Sequence, residues 1–190
     1  DDTTAVVTKS ELDLDVIRPD LAEVLERHAI GLDAARPEAV ARRRKTGQRT
    51  ARENITALCD PDSFSEYGAL GVAAQRRRRT MDDLIKNTPA DGLITGHATI
   101  NADLFGVERA HCAVLAYDFT VLAGTQGHLN HRKKDRMFQL ARELRLPLVL
   151  FAEGGGGRPG DTDGDFSSRT FFDFPRLSGL VPMIGMGGPA

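Results

Sequence analysis

Glu153-Gly154-Gly155-Gly156-Gly157-Arg158-Pro159-Gly160 follows directly on the apolar run Pro147-Leu148-Val149-Leu150-Phe151-Ala152, a pattern that predicts a glycine-rich turn at the end of a buried strand. Glycines in succession carry no Cβ, so they can aim several backbone N–H groups into one hollow and let a ligand approach the main chain closely. Such a hollow suits an oxyanion or a phosphate. The nucleotide reading lacks its other parts: a Walker loop ends in Gly-Lys-Ser/Thr, whereas Gly160 precedes Asp161, and no G-x-G-x-x-G opens a βαβ unit. A plain flexible turn stays open from the local pattern, although ordering consecutive glycines carries a large entropy cost.

A second constellation is cationic. Arg132, Lys133, Lys134 and Arg136 stand at the expected start of a helix, where exposed N–H groups already favour anions. Four cations there oppose the helix dipole unless an anion compensates, so the patch reads either as an anion contact or as a solvated helix start. Arg76–Arg79 could add charge to the same ligand or form a solvated, mobile loop whose order depends on a ligand. Asp161-Thr-Asp163-Gly-Asp165 invites a calcium reading, but the positions an EF-hand reserves for glycine and glutamate hold Phe166 and Phe172, and a solvated acidic turn is expected. His128 and His131 lack the third ligand of a metal site, and no metal is expected. Neither Ser167 nor Ser168 sits in a G-x-S-x-G elbow, and Cys59 and Cys112 have no reactive context, so covalent catalysis by a side chain is not indicated.

These residues need elements to hold them. Residues 1–16 read as a loose entry segment, followed by a helix opened by Pro19 with Leu21, Val24, Leu25 and His28 on one face. Further helices are expected over 37–46, where the Arg42–Lys45 run covers all azimuths and must be mostly solvated, and over 49–58, ending before Asp60-Pro61-Asp62-Ser63. Strands are expected over 92–100, 111–117, 147–152 and 181–185, with helices at 131–145 and around 168–179. The order strand, helix, strand, helix, strand from residue 111 onward predicts parallel pairing with right-handed crossovers. Strand 181–185 runs into a last glycine turn, which reads as a truncated unit. With 190 residues, 41% apolar content and net charge -2, the chain has ordinary globular values; bulk charge suggests no nucleic-acid partner, and no run is long enough for a membrane span. Two cysteines far apart, with no signal-peptide pattern at Asp1-Asp2-Thr3-Thr4, fit a reducing cytoplasm.

Taken in order, Arg49-Thr-Ala-Arg52-Glu53-Asn-Ile55, Leu58, Asp62–Glu66, Pro89-Ala-Asp-Gly92, Gly96, Asp118-Phe-Thr-Val, Gly124-Thr-Gln-Gly127, Lys133, Leu140-Ala141, Pro147 and the Gly155-Gly156 loop ending in Arg158 resemble the N-terminal, β-type half of the carboxyltransferase domain of biotin-dependent acyl-CoA carboxylases. The variant Glu-Gly-Gly-Gly-Gly-Arg-Pro-Gly-Asp looks like the version in large carboxylases that fuse biotin carboxylase and carboxyltransferase on one chain.

The resemblance implies an α/β crotonase-like fold of stacked ββα units, here partial, with residues 1–48 as an N-terminal segment and helical cap and 49–190 as the acyl-CoA-binding half. It implies transfer of CO2 from carboxybiotin to the α-carbon of an acyl-CoA through a thioester enolate, with Gly155, Gly156 and Gly157 as the oxyanion hole. It further implies Lys133 as the main contact to the phosphates of coenzyme A, with Arg132, Arg158, Arg49 and Arg52 as further contacts, Arg158 alternatively bracing the loop. The implied partners are an acyl-CoA, a biotin carboxyl carrier domain, a C-terminal carboxyltransferase half, a biotin carboxylase component and further copies of the chain in a homo-oligomer, within fatty acid metabolism. Two departures stand out: the family commonly has Asp-Ser before the glycine pair and Ala after it, where this chain has Glu153-Gly154 and Gly157, and the second oxyanion hole belongs to a half this sequence does not contain. The isolated fragment is therefore expected to be inactive. Two other readings stay open: a non-catalytic assembly module, and a crotonase-like hydratase or isomerase using Glu153 as acid/base.

Overall fold

The computed structural model describes residues 17–163 and 167–188, so the entry segment 1–16 lies outside the described residues. Three helices come first. Pro19 occupies the first turn of α1 (Pro19–Ile30) and Pro37 that of α2 (Pro37–Arg44), positions where the missing N–H costs nothing. A reciprocal capping box between Thr50 and Glu53 starts α3 (Ala51–Leu58). After the short strand β1 (Ser65–Glu66) comes α4 (Met81–Asn87), N-capped by the Thr80 side chain at Asp83 N–H. Then follow β2 (Leu93–Thr99), the single turns α5 (Ala102–Phe105) and α6 (Val107–Ala110), and β3 (His111–Tyr117). The long α7 (His128–Leu144) leads to β4 (Leu148–Ala152), the one-turn α8 (Thr170–Asp173) and β5 (Met183–Gly187).

The strands form one sheet in the order β1-β2-β3-β4-β5. Leu93 pairs with Tyr117 and Thr99 with His111 in the antiparallel β2/β3 ladder, while β3, β4 and β5 run parallel. Period-two alternation divides β3 between two cores. Ala113, Leu115 and Tyr117 pack with Met137, Phe138 and Ala141 of α7, and Cys112, Val114 and Ala116 pack with Ala51 and Ile55 of α3. Two antiparallel strands followed by a helix that returns the chain to a parallel neighbour make a ββα unit, and the carboxyl ends of β3 and β4 lie side by side. The loops 118–127 and 153–163 therefore rise from one edge of the sheet, where ligand sites of parallel sheets lie.

Several expectations change. Leu21, Val24 and Leu25 of α1 are exposed, and Ala22 is the residue α1 buries. Within the Arg42–Lys45 run Arg43 is buried, its guanidinium paired with Glu153. The segment 75–80 is pinned rather than mobile: Thr162 N–H donates to Ala74 O at 2.8 Å and Arg76 N–H to Asp163 at 2.7 Å. The helix expected over 168–179 is one α-turn and a separate 3-10 turn at Pro175–Leu177. Pro175 explains the break, because it cannot donate to a continuing ladder.

Candidate active site

At its foot the glycine loop is locked by backbone meeting backbone. A Cβ on Gly154 would lie 2.2 Å from the Gly124 carbonyl oxygen, and one on Gly124 would lie 2.3 Å from that of Glu153. Leu122, Ala123 and Gly124 all have positive φ, of 47°, 54° and 63°. This left-handed stretch brings the end of loop 118–127 under the glycines, and a strained conformation of this kind persists only where its surroundings over-determine it. Gln126 then zips the loops together: its N–H donates to Gly156 O at 2.7 Å and its carbonyl accepts from Arg158 N–H at 2.9 Å.

The pairing assigns the amides unequally. Gly155 N–H, expected to belong to the oxyanion hole, donates to Ala123 O at 3.1 Å and is engaged within the fold. Among the described residues the N–H groups of Gly156 and Gly157 have no protein acceptor. Gly156 holds φ at 83°, which an L-residue rarely adopts, and a Cβ at either position would meet nothing within 4 Å. Two consecutive donors without a protein acceptor thus lie at the tip of a locked loop, where a side chain at either position would meet open space.

Arg158 braces this arrangement. Its Nη1 is bound to the Asp91 carboxylate, whose side chain is fully buried, and its Nη2 donates to Thr125 O at 2.6 Å. Burial raises the Asp91 carboxyl above its usual range, against the pull of Arg158. Asp91 also accepts from Asn130 N–H at 2.8 Å and Asp161 from His128 N–H at 2.8 Å. The N-terminus of α7 therefore already has its anions, supplied by the fold. This answers the dipole mismatch read in the sequence, and it corrects the view of Asp161 as part of a solvated acidic turn.

Lys133 is likewise turned inward. Its ammonium is buried, donating to Ala90 O at 3.1 Å and also to Leu93 O, and burial lowers its pKa to about 8. The residue expected to meet phosphate thus has its ammonium engaged by two backbone carbonyls. Lys134, also buried and also lowered to about 8 by desolvation, donates to Tyr117 Oη at 3.0 Å and to Gln126 Oε1 at 2.5 Å, so it holds the residue that zips the loop. Arg52 is engaged by Glu66 at 2.9 Å and by Gly31 O at 2.9 Å. Arg132 is exposed, and Arg49 borders a cavity of about 630 Å³; among the described residues neither has an ion-pair partner. That cavity adjoins the loop through Arg43, which takes Arg49 O at 2.9 Å and pairs with Glu153.

Gln126, Lys134, Asp91 and Asp161 appear in the sequence patterns, but their roles in fastening the loop to the N-terminus of α7 are not legible there. Asp91 and Asp161 meet partners more than 30 residues away, and the signal that pointed to them was indirect: cations at a helix start require a compensating anion. Burial raises the Cys59 thiol to about 11 and the Cys112 thiol to about 12, so neither is a nucleophile near neutral pH. Glu153 is tied to Arg43, which engages the carboxylate a hydratase would use.

A ββα unit within a mixed sheet wrapped by helices defines a crotonase-like domain. Residues 42–186 match the model of the carboxyl transferase domain, and the chain belongs to that family. It is 33% identical over 154 residues to the methylmalonyl-CoA carboxyltransferase 12S subunit of Propionibacterium freudenreichii subsp. shermanii, covering 79% of this chain and 27% of that one. It is 34% identical over 170 residues to the biotin-dependent long chain acyl-coenzyme A carboxylase beta4 subunit of Mycobacterium tuberculosis, covering 87% of this chain and 29% of that one. A solved structure of a single-chain, multi-domain long-chain acyl-CoA carboxylase superposes with a TM-score of 0.85 at 58% identity, covering 90% of this chain and 17% of that one. The chain thus spans less than a third of each of these relatives.

Proposed function

We propose that this chain is the acyl-CoA-facing part of a carboxyltransferase, acting in transfer of CO2 from carboxybiotin to the α-carbon of an acyl-CoA. The observation that carries this reading is the pair of unengaged amides at Gly156 and Gly157 on a loop whose other contacts are all satisfied. Carboxybiotin, when bound, supplies CO2 and a ureido group able to take the α-proton. The chain's own task is then to hold the thioester and to stabilise its oxygen as negative charge develops there. Fixed N–H dipoles do so without reorganising, and each is typically worth about 2.7–4 kcal/mol. No side chain at 156 or 157 obstructs the approach. Arg49 and Arg132 are the cations placed to meet phosphates of coenzyme A.

The boundary near residues 48 and 49, with an N-terminal cap and an acyl-CoA-binding half, belongs to this reading. So do a C-terminal carboxyltransferase half, a biotin carrier domain, a biotin carboxylase component, a homo-oligomer and a cytoplasmic setting. Among the described residues no helix is long and apolar enough to cross a membrane, which fits that setting. The test is Gly156→Val in the complete enzyme. A side chain there opposes the positive φ and displaces both amides, so kcat should fall by roughly 100- to 1,000-fold with the carrier half-reaction intact. Unchanged turnover would remove the oxyanion assignment.

A further inference from the structure

Beside the tip of the glycine loop lies a second cavity of about 580 Å³, within the range of roughly 300–1,000 Å³ typical of small-molecule sites. Gly157, Pro159, His131 and Phe171 are among its walls, with Arg158 and Asp161 behind them. Its charges are matched in the main, the exception being Asp163 Oδ1, which is buried and has no hydrogen-bond partner among the described residues. The three nitrogens of the Arg158 guanidinium are bound to Asp91 and to the hydroxyl and carbonyl of Thr125. Asp161 accepts from His128 N–H at 2.8 Å and from Gln75 Nε2 at 3.2 Å. Asp163 accepts from Arg76 N–H at 2.7 Å. The helix terminus at this wall is capped by those carboxylates, so it offers no anion site.

His131 is kept neutral, its pKa lowered to about 4 by burial. The Thr170 hydroxyl donates to Asp135 at 2.5 Å, so its 3.0 Å contact with His131 Nδ1 requires that nitrogen to be the donor. The ring of His131 then stands 5.7 Å from that of Phe171, and the pair forms an aromatic wall. A phosphate or a carboxylate would find no free cation here. An apolar chain would find rings and a proline.

On the carboxyltransferase reading, we propose that this cavity receives the acyl chain of the thioester held at Gly156 and Gly157, and that Phe171 limits the chain length it accepts. Gly157 borders both the free amides and the cavity, so a carbonyl held at the first directs its alkyl tail into the second. Phe171 is largely exposed at 72%, lies outside both hydrophobic cores and stands beside the His131 ring, so replacing it leaves the core intact.

The experiment compares kcat/KM for acetyl-CoA, octanoyl-CoA and palmitoyl-CoA in the complete enzyme carrying Phe171, Phe171→Ala or Phe171→Trp. Alanine should raise the long-to-short ratio by roughly tenfold and tryptophan should lower it by a similar factor, since one methylene's worth of fit in an apolar pocket changes discrimination by about that much or more. The expected change lies in KM for the long chains, with kcat for acetyl-CoA within a few-fold of the parent. A chain-length profile unchanged in both variants, in an enzyme that still carboxylates, overturns the pocket assignment alone. Failure of the parent enzyme to carboxylate any acyl-CoA overturns the reading on which it rests.

Discussion

The foot and the tip of the same loop use glycine for opposite reasons. At the foot, Gly124 and Gly154 are glycines because their backbones touch, and a Cβ on either would be driven into a carbonyl. At the tip, Gly157 has nothing near it and an ordinary φ, so neither contact nor conformation within the described chain demands a glycine there. The foot answers to the fold. The tip, on the proposed function, answers to the thioester.

That contrast can be broken in graded steps. The largest stability effect should come from Arg158→Met, which leaves the buried Asp91 carboxylate without its counter-charge at the foot. A loss of about 3–5 kcal/mol is expected in chemical denaturation, and near-wild-type stability would show that the brace is dispensable. Next is Gly154→Ala, whose methyl meets backbone that cannot swing aside; overpacking should cost about 1–3 kcal/mol or more. Gly157→Ala should invert the pattern, with stability within about 0.5 kcal/mol of the parent and kcat of the complete enzyme lower by roughly hundredfold from a misplaced thioester. If Gly154→Ala and Gly157→Ala behave alike, foot and tip do not differ in kind.

The smallest effect concerns pH. His131 has a folded pKa of about 4 against an ordinary 6.5, so below pH 6.5 the unfolded chain takes up a proton that the folded chain refuses. Stability from this group is full above pH 6.5 and declines as the pH falls toward 4. His131→Gln removes the titration, and the acid side of a plot of denaturation midpoint against pH should become flatter.

Much of this was legible from local pattern. The loop showed itself through consecutive glycines behind an apolar strand, and α7 through Met137 and Ala141, which are buried as their spacing requires. What stayed hidden was the direction of charged side chains. Lys133 and Arg158 sit in sequences that suggest a solvated or ligand-binding cation, yet their partners at Ala90, Leu93 and Asp91 lie 40 to 67 residues away. Local pattern cannot distinguish a cation aimed at a ligand from one aimed at a carbonyl across the fold. Leu144 extends the helical spacing of Met137, Leu140 and Ala141, yet it lies on the last turn of α7 and is exposed.

The ion pair between Arg43 and Glu153 joins residues 110 positions apart, and that between Arg36 and Asp118 spans 82. A chain made from its N-terminus therefore produces both arginines long before the carboxylates that anchor them, and α2 must wait for the central strands before it can dock. Contacts of such separation form late and slowly. A nascent chain halted before residue 153 would hold β1 to β4 but neither the glycine turn nor the carboxylate that Arg43 pairs with.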